Sequence, residues 1–140
     1  MRIPGAVVLV TGSSRGIGAA IAARLVNCGA RVLLHGRDVD QLDAVSASLG
    51  AKVLAADLCG EHSAAELADQ AVDVYGYVDG LVHCAGVGWY GDAATMRERT
   101  IEELIKVNVR APIELTRYLL PGMLASGHGH VCFIASIAGL

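Results

Sequence analysis

The chain has 140 residues, 11 basic against 14 acidic side chains for a net charge of −3, and 54% apolar residues with only 4% aromatic. This balance excludes a broad cationic surface for nucleic acid or an anionic membrane, and the length predicts one domain, residues 1–140, with a single core. The first apolar run, residues 6–10, is too short for a signal-peptide core, and the final VCFIASIAGL is shorter than the roughly 20 residues that span a bilayer, so a soluble, cytoplasmic chain is expected.

Short β-rich runs alternate with stretches of helical period, which predicts repeated βα units on a parallel sheet. Residues 6–11 (AVVLVT) form the first strand; Ile17, Ile21, Leu25 and Cys28 then recur at helical spacing up to Gly29, which suits the left-handed position closing a helix. Residues 31–35 (RVLLH) form the second strand. Asp38 and Gln41 have capping-box spacing, and Leu42, Val45 and Leu49 give the next helix an apolar stripe that ends at Gly50. Residues 52–56 (KVLAA) form the third strand, followed by a helix expected to be capped by Ser63 with Glu66. Residues 79–84 (DGLVHC) form the fourth strand, and AGVGWYGDAA after it reads as a Gly-rich surface loop near a site. Thr100 with Glu103 opens a long helix reaching about residue 126, and residues 130–136 (HVCFIAS) form the fifth strand.

Right-handed crossovers in a doubly wound α/β sheet give the strand order 3-2-1-4-5, with the topological switch between strands one and four. Ligands bind such sheets at the carboxyl ends of the strands beside the switch, where TGSSRGIG, AGVG and Ser136 all lie. TGSSRGIG, from Thr11 to Gly18, is a Gly-rich turn between strand and helix, which exposes backbone N–H groups to a pyrophosphate. Its spacing, Gly12-x3-Gly16-x-Gly18, departs from GxGxxG, and taken alone it also reads as a plain turn.

Four stretches in consistent order resemble the short-chain dehydrogenase/reductase family over all 140 residues. TGSSRGIG is similar to that family's TGxxxGxG, LVHCAG to its LVNNAG, VNV around Asn108 to its helix-borne asparagine, and IASIAG to its catalytic-serine segment. The resemblance implies a Rossmann-type fold, here its amino-terminal part, ending before the family's last strands. It implies hydride transfer between a nicotinamide cofactor and a small alcohol or ketone, with homo-oligomeric full-length relatives. The catalytic residues it implies are Asn108 and Ser136; the cofactor-binding ones are Gly12, Ser14, Arg15, Gly16, Ile17, Gly18, Arg37, Asp57, Leu58, Ala85 and Gly86.

Strand two ends His35-Gly36-Arg37, with Gly36 where NAD-preferring members of the family carry Asp. Without that carboxylate, Arg37 favours a 2′-phosphate and Arg15 adds a second cation, so NADP is expected over NAD. The alternative leaves Arg37 in solvent with Asp38 on the ribose. Asp57 resembles the family's adenine-binding aspartate and also reads as a turn aspartate. His83 and Cys84 replace two asparagines, so His83 either supplies an equivalent sheet-holding hydrogen bond or leaves that contact unmade; a satisfied core histidine is the simpler reading.

Pro112 lies four residues after Asn108 and cannot donate to its carbonyl, which predicts a free carbonyl and a kink, with a kink and a solvent-facing Asn108 as the alternative. The family's carbonyl at this position holds a water in a proton relay. The resemblance also calls for a Tyr-x-x-x-Lys pair, yet the residues four after Tyr75, Tyr77, Tyr90 and Tyr118 are Asp79, Leu81, Ala94 and Gly122. Negligible turnover is therefore expected of residues 1–140 alone, and a noncatalytic NADP-binding module or an inactive remnant is the other reading. Strand five, with no charge or proline in VCFIAS, would be left at a sheet edge open to association. His128, His130 and Cys132 alternate, and Cys59 and His62 are three apart, but no second close pair completes a tetrahedral set and no metal site is expected.

Overall fold

A computed structural model describes residues 2–136; the final IAGL lies outside the described residues. Five parallel strands, β1 (Val7–Val10), β2 (Arg31–Gly36), β3 (Lys52–Ala55), β4 (Gly80–His83) and β5 (His130–Phe133), pair in the order β3-β2-β1-β4-β5. The helices between them are α1 (Gly16–Asn27), α2 (Val39–Leu49), α3 (Ser63–Tyr75), α4 (Glu98–Ile105) and α5 (Ala111–Ser126). This is the Rossmann-type order expected from the alternating pattern.

Alternation along each strand sorts side chains onto two cores. Val7, Leu9, Leu33, Leu54 and Leu81 pack with Leu67, Ala71, Leu115, Leu119 and Met123 of α3 and α5. Val8, Val10, Val32 and Leu34 face the other way, against Ala22 of α1 and Leu42 of α2. Strands covered on both faces become continuous apolar runs, which is why AVVLV and RVLL show no polar alternation. Each fully buried leucine contributes about 1.5–3 kcal/mol relative to exposure.

The seam between β1 and β4, where the winding reverses, is tied at both ends. At the amino end the Asp79 carboxylate accepts from the Val7 N–H at 2.9 Å. At the carboxyl end the Thr11 hydroxyl donates to the Val82 carbonyl and accepts from the Cys84 and Ala85 N–H groups, both at 3.1 Å.

The helix-end signals fared unevenly. Asp38 caps α2, accepting from the Gln41 N–H at 3.1 Å, while the Gln41 amide returns to the same carboxylate at 2.6 Å. Gly29 (φ +85) follows α1 in the left-handed conformation expected of it, and Gly50, where the apolar stripe of α2 is expected to end, caps that helix with φ +65. Ser63 does not cap α3: it is the first residue of the helix, His62 holds the cap position with its carbonyl accepting from the Glu66 N–H at 3.0 Å, and the Ser63 hydroxyl donates to the Gly60 carbonyl of the preceding turn. Thr100 does not open α4 either, because the helix begins at Glu98 and the Thr100 N–H already bonds the Arg97 carbonyl. Ile17 is 64% exposed and off the buried stripe of α1, which Gly18 and Ala22 occupy.

The long helix is interrupted. Residues Lys106–Arg110 form a π turn between α4 and α5, with the Ala111 N–H reaching back five residues to the Lys106 carbonyl. Pro112, in the first turn of α5, has no N–H to give, so the register changes just ahead of it. At the far side of the sheet, β5 pairs only with β4 among the described residues, and its Phe133 and the following Ile134 are 58% and 39% exposed.

Candidate functional site

A groove of about 480 Å³ opens at the carboxyl ends of the strands, across the β1/β4 seam. Gly12, Ser14, Arg15, Gly16, Ile17 and Gly18 line it from the β1–α1 turn, Arg37 from the end of β2, and Asp57 and Leu58 from the end of β3. Ala85 and Gly86 line it after β4, and Ser136 after β5. Sequence positions as far apart as 12 and 136 therefore meet in one cleft.

The turn is shaped by close backbone approach. Gly12 has φ +66, and a Cβ there would lie 2.6 Å from the Ala85 Cα; a Cβ on Gly18 would lie 2.2 Å from the Gly12 carbonyl oxygen. Glycine is required at both positions, one to fit the segment that leaves β4 and one to fit the turn beneath α1. Gly16 is different, since a Cβ there meets nothing within 4 Å and would project into open space. Helix α1 begins at this point with no side-chain cap and no acidic residue in its first turn. Its leading N–H groups and the positive end of its dipole are left for an anion, which is what a pyrophosphate needs.

Asn108 does not line the groove. Its side-chain amide instead clamps the loop after β4, accepting from the Val87 N–H at 2.9 Å and donating to the Val87 carbonyl at 2.8 Å. Val87 and Val107 both line the cleft, so Asn108 shapes the wall from behind. Asn108 is exposed, as the solvent-facing alternative has it, yet its side-chain amide is bonded to Val87 at both ends. Trp89 and Tyr90 are not brought into the lining, and Tyr90 is 97% exposed.

Asp57 lines the groove and also accepts from the Cys59 N–H at 3.0 Å, so its turn and lining roles coexist. Arg37 reaches across to α4, its Nη1 3.5 Å from Glu103 Oε1. Nearby Cys59 has its thiol pushed up by burial and by the Asp57 and Glu103 charges, with Arg37 pulling the other way.

Two buried histidines flank the site. His83 bonds the Thr116 hydroxyl at 2.9 Å through Nε2 and stacks on Phe133 with centroids 4.6 Å apart, thereby tying β4 to α5 and β5. Burial lowers its pKa to about 4, so it is a neutral strut at ordinary pH. His35, overlooked from the sequence because it ends an apolar strand, is 2% exposed and lines the groove. Its backbone is held by Ser13, whose hydroxyl accepts from the His35 N–H at 2.9 Å, but among the described residues neither ring nitrogen completes a hydrogen bond. Burial takes this histidine also to about 4, outweighing the Ala56 backbone and the Asp57 charge. Cys84 lines the cleft as well, its thiol raised first by burial and then by Cys132.

Comparison with known proteins bears on the family and the fold. A family model of short chain dehydrogenases matches residues 6–140. The chain is 34% identical to a Drosophila melanogaster dehydrogenase/reductase SDR family protein 7-like, over 99% of this chain and 45% of that protein. A metagenomic short-chain oxidoreductase solved with NADP superposes at a TM-score of 0.93 with 42% identity, over 99% of this chain and 66% of that one. A 3-oxoacyl (acyl-carrier-protein) reductase of Agrobacterium tumefaciens C58, solved with NADP bound, superposes at 0.93 with 34% identity, over 99% of this chain and 55% of that one. The chain thus spans about half to two-thirds of the length of these relatives. With its sheet order, Gly-rich turn and family match in agreement, the chain belongs to the short-chain dehydrogenase family.

Proposed function

We propose that the groove binds a nicotinamide dinucleotide, NADP in preference to NAD, and that the protein carrying it is an oxidoreductase acting on an alcohol or carbonyl substrate. The observation that carries this reading is the uncapped start of α1 beside Gly12, Gly16 and Gly18, in a cleft whose far end holds a cation but no carboxylate at position 36. Gly12, Ser14, Gly16, Ile17 and Gly18 would cradle the pyrophosphate and Asp57 with Leu58 the adenine, while Ala85 and Gly86 let the backbone approach. Arg37, with Arg15, would take the 2′-phosphate. A carboxylate at position 36 would begin from a Cβ only 3.4 Å from that of Ser14, beside the glycine turn.

Hydride exchange is the chemistry a bound nicotinamide supplies. Ser136 would hydrogen-bond the substrate oxygen, and Asn108 would hold the Val87 wall of the groove that would take the cofactor. No tyrosine of these 140 residues has a lysine four positions on, and a missing general acid costs typically about 10²- to 10⁴-fold. Cofactor binding without appreciable turnover is therefore expected of this chain.

Calorimetric titration with NADPH and NADH, followed by incubation with NADPH and a panel of ketones, tests both parts. Tighter NADPH binding with negligible cofactor oxidation is expected. Tighter NADH binding removes the cofactor assignment, and sustained oxidation removes the claim of incompetence. A chain that binds neither cofactor is the inactive remnant.

A further inference from the structure

Arg37 and Glu103 are 66 residues apart in sequence, yet their side chains meet at 3.5 Å at the groove end bounded by Asp57. Arg37 leaves the end of β2 and lines the cleft, whereas Glu103 comes from α4. The contact is a single Nη1–Oε1 approach between side chains 61% and 37% exposed, so water and salt weaken it. Both charges also act on the Cys59 thiol, two residues beyond Asp57. By contrast, Arg15 makes no ion pair among the described residues.

We propose that Glu103 is an internal competitor for Arg37 and sets how strongly this groove discriminates a 2′-phosphorylated dinucleotide from its unphosphorylated counterpart. The inference rests on the reading above that Arg37 takes the 2′-phosphate. Two effects act in the same direction. Arg37 must leave its carboxylate before its planar fork can grip a phosphate, and that carboxylate then stands beside a group carrying about −1.5 to −2 charge. A ligand lacking the phosphate meets neither effect. Glu103 therefore narrows the NADP preference without touching the nicotinamide end, where Ser136 lies on the opposite side of the sheet.

The test compares the full chain with Glu103→Gln, Glu103→Lys and Arg37→Gln, titrated with NADPH and NADH in low salt and again in high salt. Glu103→Gln should tighten NADPH about three- to tenfold at low salt and leave NADH within about twofold, the gain shrinking as salt is raised. Glu103→Lys should tighten NADPH further, which keeps the test open if one variant folds poorly by circular dichroism. Unchanged or weaker NADPH binding in both Glu103 variants, with Arg37→Gln still losing NADPH affinity, overturns this inference alone. An Arg37→Gln chain that keeps full NADPH affinity overturns the reading beneath it.

Discussion

At Gly18 an added methyl group would sit 2.2 Å from the Gly12 carbonyl oxygen, and no rotation of a side chain can relieve a contact with backbone. Gly18→Ala should therefore destabilise the chain by about 2–4 kcal/mol, the range of severe overpacking. Gly16→Ala meets open space and should cost about 1–2 kcal/mol for its left-handed φ alone. Urea melts of the two variants compare them directly, and equal losses would show that the turn can yield around a Cβ at Gly18. The sequence spacing of the three glycines announced a phosphate turn but could not say which glycine was sterically obligatory, because Ala85 approaches Gly12 from the loop after β4, 73 residues away. The two buried histidines give a second expectation. Both have folded-state pKa values of about 4 against 6.5 ordinarily, so the unfolded chain takes up protons first as pH falls. Their effect is absent above about pH 6.5, grows as pH drops toward 4, and levels off below that, a loss on the order of a few kcal/mol. Urea midpoints at pH 7, 5.5 and 4.5 should fall in that order, and His35→Leu should flatten the trend. A wild-type midpoint that stays constant across this range would sink it.

The π turn is the feature of an element rather than of a residue. It adds one residue to the helix ahead of Pro112 and lies where the Asn108 amide grips Val87 through two hydrogen bonds. An irregularity here was legible from Pro112, since a residue without an N–H breaks the ladder wherever it sits. The grip on Val87 was not legible, because it joins a helix to a loop 21 residues back and no local pattern records it. Asn108→Ala should cost only about 1 kcal/mol, because the side chain is exposed and water can replace its two bonds, but it should speed hydrogen exchange at the Val87 amide selectively. Exchange at Val87 no faster than in the parent chain would mean the clamp contributes little. The missed caps at Ser63 and Thr100 have the same origin: the helices start at Ser63 and Glu98, with His62 and Arg97 at the cap positions, and those starts depend on how the preceding turns close.

For the whole molecule, strand order followed from chain pattern because apolar runs of four to six residues alternating with helical stripes leave few ways to wind a parallel sheet. Among the described residues the outer edge of β5 is unpaired, with Phe133 58% exposed and Cys132 also exposed. An apolar edge without a charge invites pairing with another chain. Sedimentation should show concentration-dependent association of these 140 residues, reduced in Cys132→Lys, and a clean monomer at all concentrations would refute it.

The tied seam between β1 and β4 has one further consequence. Its partners Val8 and Gly80 stand 72 residues apart, so this pairing closes a long loop, and non-local contacts of this kind form slowly. The groove straddles that seam, and it has no existence in a chain where only the first three strands have assembled. Any molecule that fits it therefore binds the completed fold alone, and its concentration becomes a determinant of how much of the chain is folded at all.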